Sequence, residues 1–203
     1  MFGKVASDML GLSDIGTIIK PENYDKVDAD DYLMHEDGEK IFFLIKSKAD
    51  EYCFTNHALI HLDGTSAVSK KRMLKRYTYK SYRVEDVRLE TAGTVDRDVE
   101  IKFSIGGQSF SIDVDKRQIE SLKDLYKALV QISSIQHNNA EYYAYASNSL
   151  GTAAESVRRS SGEASLETQF KAINEYAFEW MKKAHATYVR KDFSEVFEKY
   201  INN

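Results

Sequence analysis

The sequence has a single proline, Pro21, and a single cysteine, Cys53. Nowhere do roughly 18 apolar residues run together, so no stretch is long and apolar enough for a helical membrane span. One cysteine excludes an intramolecular disulfide and points to a reducing compartment. The absence of proline after Pro21 leaves the C-terminal half free to form long helices. The opening MFGKVASDMLGLSDIG carries Asp8 and Asp14 and does not read as a signal peptide. Phe2 stands where the N-myristoylation pattern needs glycine, and the terminal YINN is no lipid address. A cytoplasmic protein is expected, with a peripheral role at a membrane left open.

Catalytic signatures are missing as well. There is no G-x-S-x-G elbow, P-loop, G-x-G-x-x-G, C-x-x-C or H-E-x-x-H. No catalytic residue, metal ligand or cofactor is therefore assigned, and the chain is expected not to be an enzyme. His57 and His61 have the i,i+4 spacing of a zinc helix, but they fall on strand sequence, where four residues span ~13 Å. They are expected as outward-facing surface histidines. Asp96, Asp98 and Glu100 crowd a hairpin and are expected to cap it. A calcium or acid–base site would need more ligands converging there.

What the chain does have is the composition of a folded domain, 42% apolar and 30% charged. From about Ile41 to Val114 the hydrophobic period is two. In DVEIKFSI, Val99, Ile101, Phe103 and Ile105 alternate with polar residues, and in QSFSIDVD so do Phe110, Ile112 and Val114. Gly106-Gly107 between them predicts a hairpin. IFFLI, HALIHLD and VEDVRLET are further strands. Seven short strands joined by short turns imply a meander curled into a barrel or two packed sheets.

After Val114 the period lengthens. Ile119, Leu122, Leu125, Tyr126, Leu129 and Ile132 draw one helical stripe, expected to cover the barrel's open end. A second helical stretch follows, then Gly151 to Ala164, which reads as a loop or frayed helix end. Helix returns from Leu166 to Asn203. Phe170, Ile173, Ala177, Trp180, Ala184 and Tyr188 form its stripe, and Phe193, Val196, Phe197 and Tyr200 continue it. These aromatic stripes exceed what two helices can hide against each other, and large exposed apolar patches are unusual on monomers. The expected cover is another copy of the chain. The candidate interface is Tyr142, Tyr145, Phe170, Ile173, Ala177, Trp180, Ala184 and Tyr188.

One segment opposes the overall charge. SKKRMLKRYTYKSYR, from Ser69 to Arg83, holds Lys70, Lys71, Arg72, Lys75, Arg76, Lys80 and Arg83 and no acid. With the chain at −4, everything outside these seven cations carries −11. Charge on both faces suits an edge strand or a projecting arm. Three explanations compete: lysines that block stray strand pairing, an acidic surface on a neighbouring subunit, or an anionic ligand. Near an anionic leaflet each cation is worth ~1 kcal/mol. Nucleic acid is disfavoured by the acidic total and the lack of a recognition motif.

Phe54-Thr55-Asn56-His57-Ala58-Leu59-Ile60, then Tyr79-Lys80-Ser81, then Glu90-Thr91-Ala92-Gly93 and Asp96-Arg97-Asp98-Val99-Glu100 occur in an order that resembles the bacterial pleckstrin-homology-like family. The resemblance spans roughly Val27 to Val130. It implies an α+β fold: a PH-like seven-stranded antiparallel β-barrel or sandwich capped by a helix. The C-terminal part is similar to the YvbH-like helical-hairpin extension of some members, which implies homo-oligomers. The expected domains are 1–135 for the barrel and its capping helix and 136–203 for the helical hairpin. The expected function is a non-enzymatic assembly module, with anionic-lipid binding through residues 70–83 as the alternative.

Overall fold

Alternation of apolar and polar side chains builds two antiparallel sheets. In the computed structural model, which describes residues 15–64, 72–91, 98–158 and 166–201, the first sheet runs in chain order. It comprises β1 (Thr17–Ile18), β2 (Ile41–Lys46), β3 (Glu51–Thr55), β4 (Ala58–Gly64) and β5 (Arg72–Thr78). The second comprises β6 (Val84–Glu90), β7 (Asp98–Ile105) and β8 (Gln108–Asp115). Strands β2 to β8 are the seven expected; the two-residue β1 is additional, pairing Thr17 with Lys46 and Ile18 with Ile45. The architecture is α+β, and the barrel is not closed: among the described residues no ladder joins β5 to β6.

Glycines act at two places. Gly106 and Gly107 take φ of 60° and 75°, which gives the twist that a two-residue hairpin between Ile105 and Gln108 requires. Gly16 stitches the two sheets through a bridge to Val114, and its N–H donates to the Asp113 carbonyl at 2.8 Å. A Cβ at Gly16 would lie 2.7 Å from the Ile45 side chain and 2.8 Å from that same carbonyl, so only glycine fits.

The core lies on both faces of the first sheet. On one face Phe43 meets Phe54, Phe54 meets Phe103, and Phe103 stacks on Phe110 at 5.1 Å. On the other, three short 3-10 turns between Pro21 and Asp37 bring Val27, Ala29 and Leu33 into a cluster with Leu44, Cys53, Ile60 and Leu62. This second cover is why β4 is buried along nearly its whole length. The histidines, expected to face outward, are both buried: His61, on the strand face opposite Ile60 and Leu62, packs on Tyr52 and Phe110, and His57, in the turn before β4, lies against Asp192.

Helix α1 runs unbroken from Ile119 to Arg158, so the expected break at Gly151 is absent up to Arg158. Its first part buries Leu122, Leu125, Ala128, Leu129 and Ile132. Helix α2 spans Leu166–Tyr188 and α3 spans Ser194–Ile201. The chain divides into two units. One holds the residues up to Ser133 together with those from Lys191 onward, and the other is Ser134–Arg190. In the first unit the last segment buries Phe193, just before α3, and Val196 and Phe197 within it.

Candidate functional site

The turn Thr55-Asn56-His57 is held by its own side chains. The Thr55 hydroxyl oxygen accepts the N–H groups of His57 and Ala58 at 3.1 and 2.9 Å, and the hydroxyl donates to Glu39 Oε1 at 2.5 Å. Asn56 Oδ1 accepts the Lys40 N–H, and its amide donates to the Gly38 carbonyl and to Asp192 Oδ2. Both carboxylate oxygens of Glu39 sit 2.7 Å from Arg76 Nη2, and the Met34 N–H donates to Oε2 at 2.9 Å.

The Glu39 side chain has no exposure and that of Arg76 keeps 20%, so this is a buried ion pair. Burial alone would raise the Glu39 pKa. Hydrogen bonds from Arg76, Thr55 and the Met34 N–H, with the Arg76 charge, outweigh it and hold the carboxyl below the usual range. Arg76 is therefore spent inside the fold.

Asp192 opens the segment leading into α3. Its Oδ1 accepts the Ser194 N–H at 2.7 Å, and Oδ2 lies 3.0 Å from the Asn56 amide and 3.4 Å from His57 Nε2. Burial pushes its pKa up, but Ser194, Asn56 and His57 together bring it below the usual value. The motif Phe54-Thr55-Asn56-His57 thus serves as a fastener between strands, Arg76 and the C-terminal segment. The motif is visible in the sequence but its partners are not: Glu39 is one of three acids in HEDGEK, and Asp192 lies 136 positions from Asn56.

His61 stacks on Tyr52 at 4.6 Å, meets the Phe110 edge at 5.5 Å, and places Nε2 3.3 Å from Asp50. Cys53 is fully buried, which pushes its thiol well above the ordinary value and keeps it protonated. Among the described residues no three His, Cys, Asp or Glu converge as a metal set.

The basic segment is divided by the fold. Lys70 and Lys71 lie outside the described residues. Arg72 opens β5, which is indeed an edge strand. Lys75 faces Asp63 at 3.9 Å and Arg76 is paired with Glu39. Lys80 and Arg83 are exposed on the turn at the far end of β5. At about 3.3 Å per residue, the two ends of this strand are ~20 Å apart, so the cations do not form one patch.

The interface candidates are divided too. In the Ser134–Arg190 unit, Ile173, Ala177, Ala184 and Tyr188 are buried or half-buried, and Tyr188 packs on Tyr142 at 5.8 Å. Trp180 Nε1 donates to the Ala146 carbonyl at 3.2 Å. That portion of the stripe is covered within the chain's own hairpin. Tyr142, Tyr145 and Phe170 stay exposed, joined by Tyr176 and Phe178, which lie outside the expected interface set; all five exceed half exposure.

With this geometry in view, comparison decides the family. The profile described as Bacterial PH domain matches residues 9–133. The chain belongs to the bacterial PH-domain family. A second profile, the YvbH-like oligomerisation region, matches residues 144–203. The Uncharacterized protein YvbH of Bacillus subtilis (strain 168) is 58% identical, with both chains covered in full. The crystal structure of a PH domain containing bacterial protein from Exiguobacterium sibiricum 255-15 is 50% identical. It aligns with a TM-score of 0.86 over 93% of this chain and 100% of that one. The PH-like barrel and the helical segments of this chain therefore have a solved counterpart at high identity. Among the described residues no helix is long and apolar enough to cross a membrane.

Proposed function

We propose that this PH-domain protein is a non-enzymatic assembly module that self-associates through its C-terminal helical hairpin. The observation that carries this is the set of aromatic side chains left uncovered on the Ser134–Arg190 unit: Tyr142, Tyr145, Phe170, Tyr176 and Phe178. Ordinary α-hairpins keep such side chains inward. Each ring buried between subunits contributes on the order of 3 kcal/mol before the cost of association is deducted. The match of residues 144–203 to an oligomerisation region supports the same reading. The protonated Cys53 and the packed His61 favour a binding role over catalysis.

Analytical ultracentrifugation of the full chain tests it. The wild type is expected as a multimer. Phe170→Ser, Tyr176→Ser and Phe178→Ser together should reduce the mass to that of one chain with unchanged circular dichroism. A subunit count untouched by the triple substitution rejects the reading.

A second reading, attachment to an anionic membrane surface, rests on Lys80 and Arg83 flanking the exposed Tyr82 on one turn. Flotation with phosphatidylserine vesicles should then fall on Lys80→Glu and Arg83→Glu and on raising salt. Indifference to both changes eliminates it.

A further inference from the structure

Strand β5 pairs with β4 along one edge, and among the described residues no strand pairs with the other. Such an edge is ordinarily guarded by charged side chains, and the sequence sets Lys75 and Arg76 on this strand. The fold diverts both. Arg76 is drawn to the buried Glu39 at 2.7 Å, and Lys75 lies 3.9 Å from Asp63 on β4. What the edge shows instead is apolar: Met73 is 54% exposed and Leu74 43%. Among the described residues outside Ser134–Arg190, the exposed large apolar side chains are Tyr32, Met34, Met73, Leu74, Tyr82 and Val130. Four of them lie on β5 or beside it, since the Tyr82 ring meets Tyr77 at 6.1 Å and the Tyr32 carbonyl lies 3.5 Å from Arg76 Nη1.

The two sides of this edge differ in chemistry. Met73, Lys75 and Tyr77 point to one side of the sheet, Leu74 and Arg76 to the other. The first side is apolar beyond the Lys75–Asp63 pair: Tyr77 sets its ring against Phe110 at 5.6 Å as well as against Tyr82. On the second side Leu74 stands opposite Leu62, and the neighbouring turn Asp28–Tyr32 exposes Asp28 and Asp31. His35 engages Asp30, whereas Asp31 has no ion-pair partner among the described residues. Lys80 and Arg83 lie past the end of the strand, on the turn after Thr78. A strand added here would therefore set apolar side chains toward Met73 and Tyr77. Its alternate side chains would meet Asp31, and long cationic ones could lay their stems on Leu74 and Tyr32.

We propose that the outer edge of β5 receives an extended segment of a partner protein, in which apolar residues alternate with lysine or arginine, as a further strand of the first sheet. Main-chain hydrogen bonds supply the attachment and the alternation supplies the selectivity. The site uses residues of the barrel unit alone and is independent of the aromatic set proposed for self-association.

Fluorescence anisotropy with the full chain and a labelled heptapeptide of alternating valine and lysine provides the test. Saturable binding is expected, about tenfold weaker for Asp31→Lys and for Met73→Lys, which restores a guarding charge to the edge. Both side chains are exposed, so circular dichroism should not change. N-methylation of one alternate set of peptide amides should abolish binding and methylation of the other set should leave it, because an added strand bonds along one edge only. Lack of saturable binding overturns the proposal, as does equal or tighter binding of the glutamate counterpart or indifference to both methylations. Absence of peptide binding together with a lower sedimenting mass for Met73→Lys would show that a second copy covers the edge, and overturns it too.

Discussion

At the scale of residues, the buried Glu39–Arg76 pair is the contact whose loss should be felt most. Glu39→Gln keeps the shape but leaves the Arg76 charge without its partner, and breaking a buried pair from one side costs about 3 kcal/mol. Urea unfolding should show that loss, and Glu39→Leu with Arg76→Met should recover most of it. The pH dependence has a definite sign. Because the folded-state pKa of Glu39 is depressed, its contribution is complete above the ordinary carboxylate value. It disappears as pH falls through the depressed one, so Glu39→Gln should flatten the acid limb of the stability profile. At the β7–β8 turn two glycines make a graded comparison. Gly107→Ala meets open space and incurs only the backbone cost of its positive φ, ~1–2 kcal/mol. Gly106→Ala adds a 2.8 Å approach to the Tyr77 ring and should lower the melting temperature further.

At the scale of elements, α3 is short but belongs to the core. Phe197→Ala should destabilise the protein by about 3–5 kcal/mol in chemical unfolding, since it empties a site stacked on Phe42. Phe178→Ala, on an exposed position of α2, should stay within about 0.5 kcal/mol for the single chain. Equal losses at the two positions would show that α3 is not seated as described. A chain cut after Ile132 loses Phe193 and Phe197 with the hairpin, so it confounds assembly with folding. Removal of the hairpin is informative only if Lys191–Ile201 is kept and rejoined by a flexible linker.

At the scale of the whole molecule, the two kinds of proposed contact respond oppositely to salt. Association through aromatic burial should persist between ~0.1 M and ~1 M salt, because it is not a charge interaction. Vesicle attachment through Lys80 and Arg83 should be abolished over the same range. Sedimentation and flotation run on one salt series would separate them, and mass falling with salt would count against aromatic association.

Much of this protein is legible without coordinates. The period of two in DVEIKFSI and QSFSIDVD, the Gly106-Gly107 turn and the stripe from Leu122 to Ile132 are local patterns, and each became the element expected. Local pattern determines local structure because strand and helix periods are properties of a few neighbouring residues. Partnership is different. His61 reads as polar and outward until the rings of Tyr52 and Phe110 lie against its own face of the strand. Arg76 reads as a surface cation until Glu39 lies against it, and Asp192 is anonymous until Asn56 is found beside it. The helical stripe from Phe170 to Tyr188 specifies an apolar face, yet only three-dimensional packing divides it into residues covered by the hairpin and residues left for a partner. Burial and ion pairing depend on atoms far apart along the chain, so the tertiary structure alone decided them.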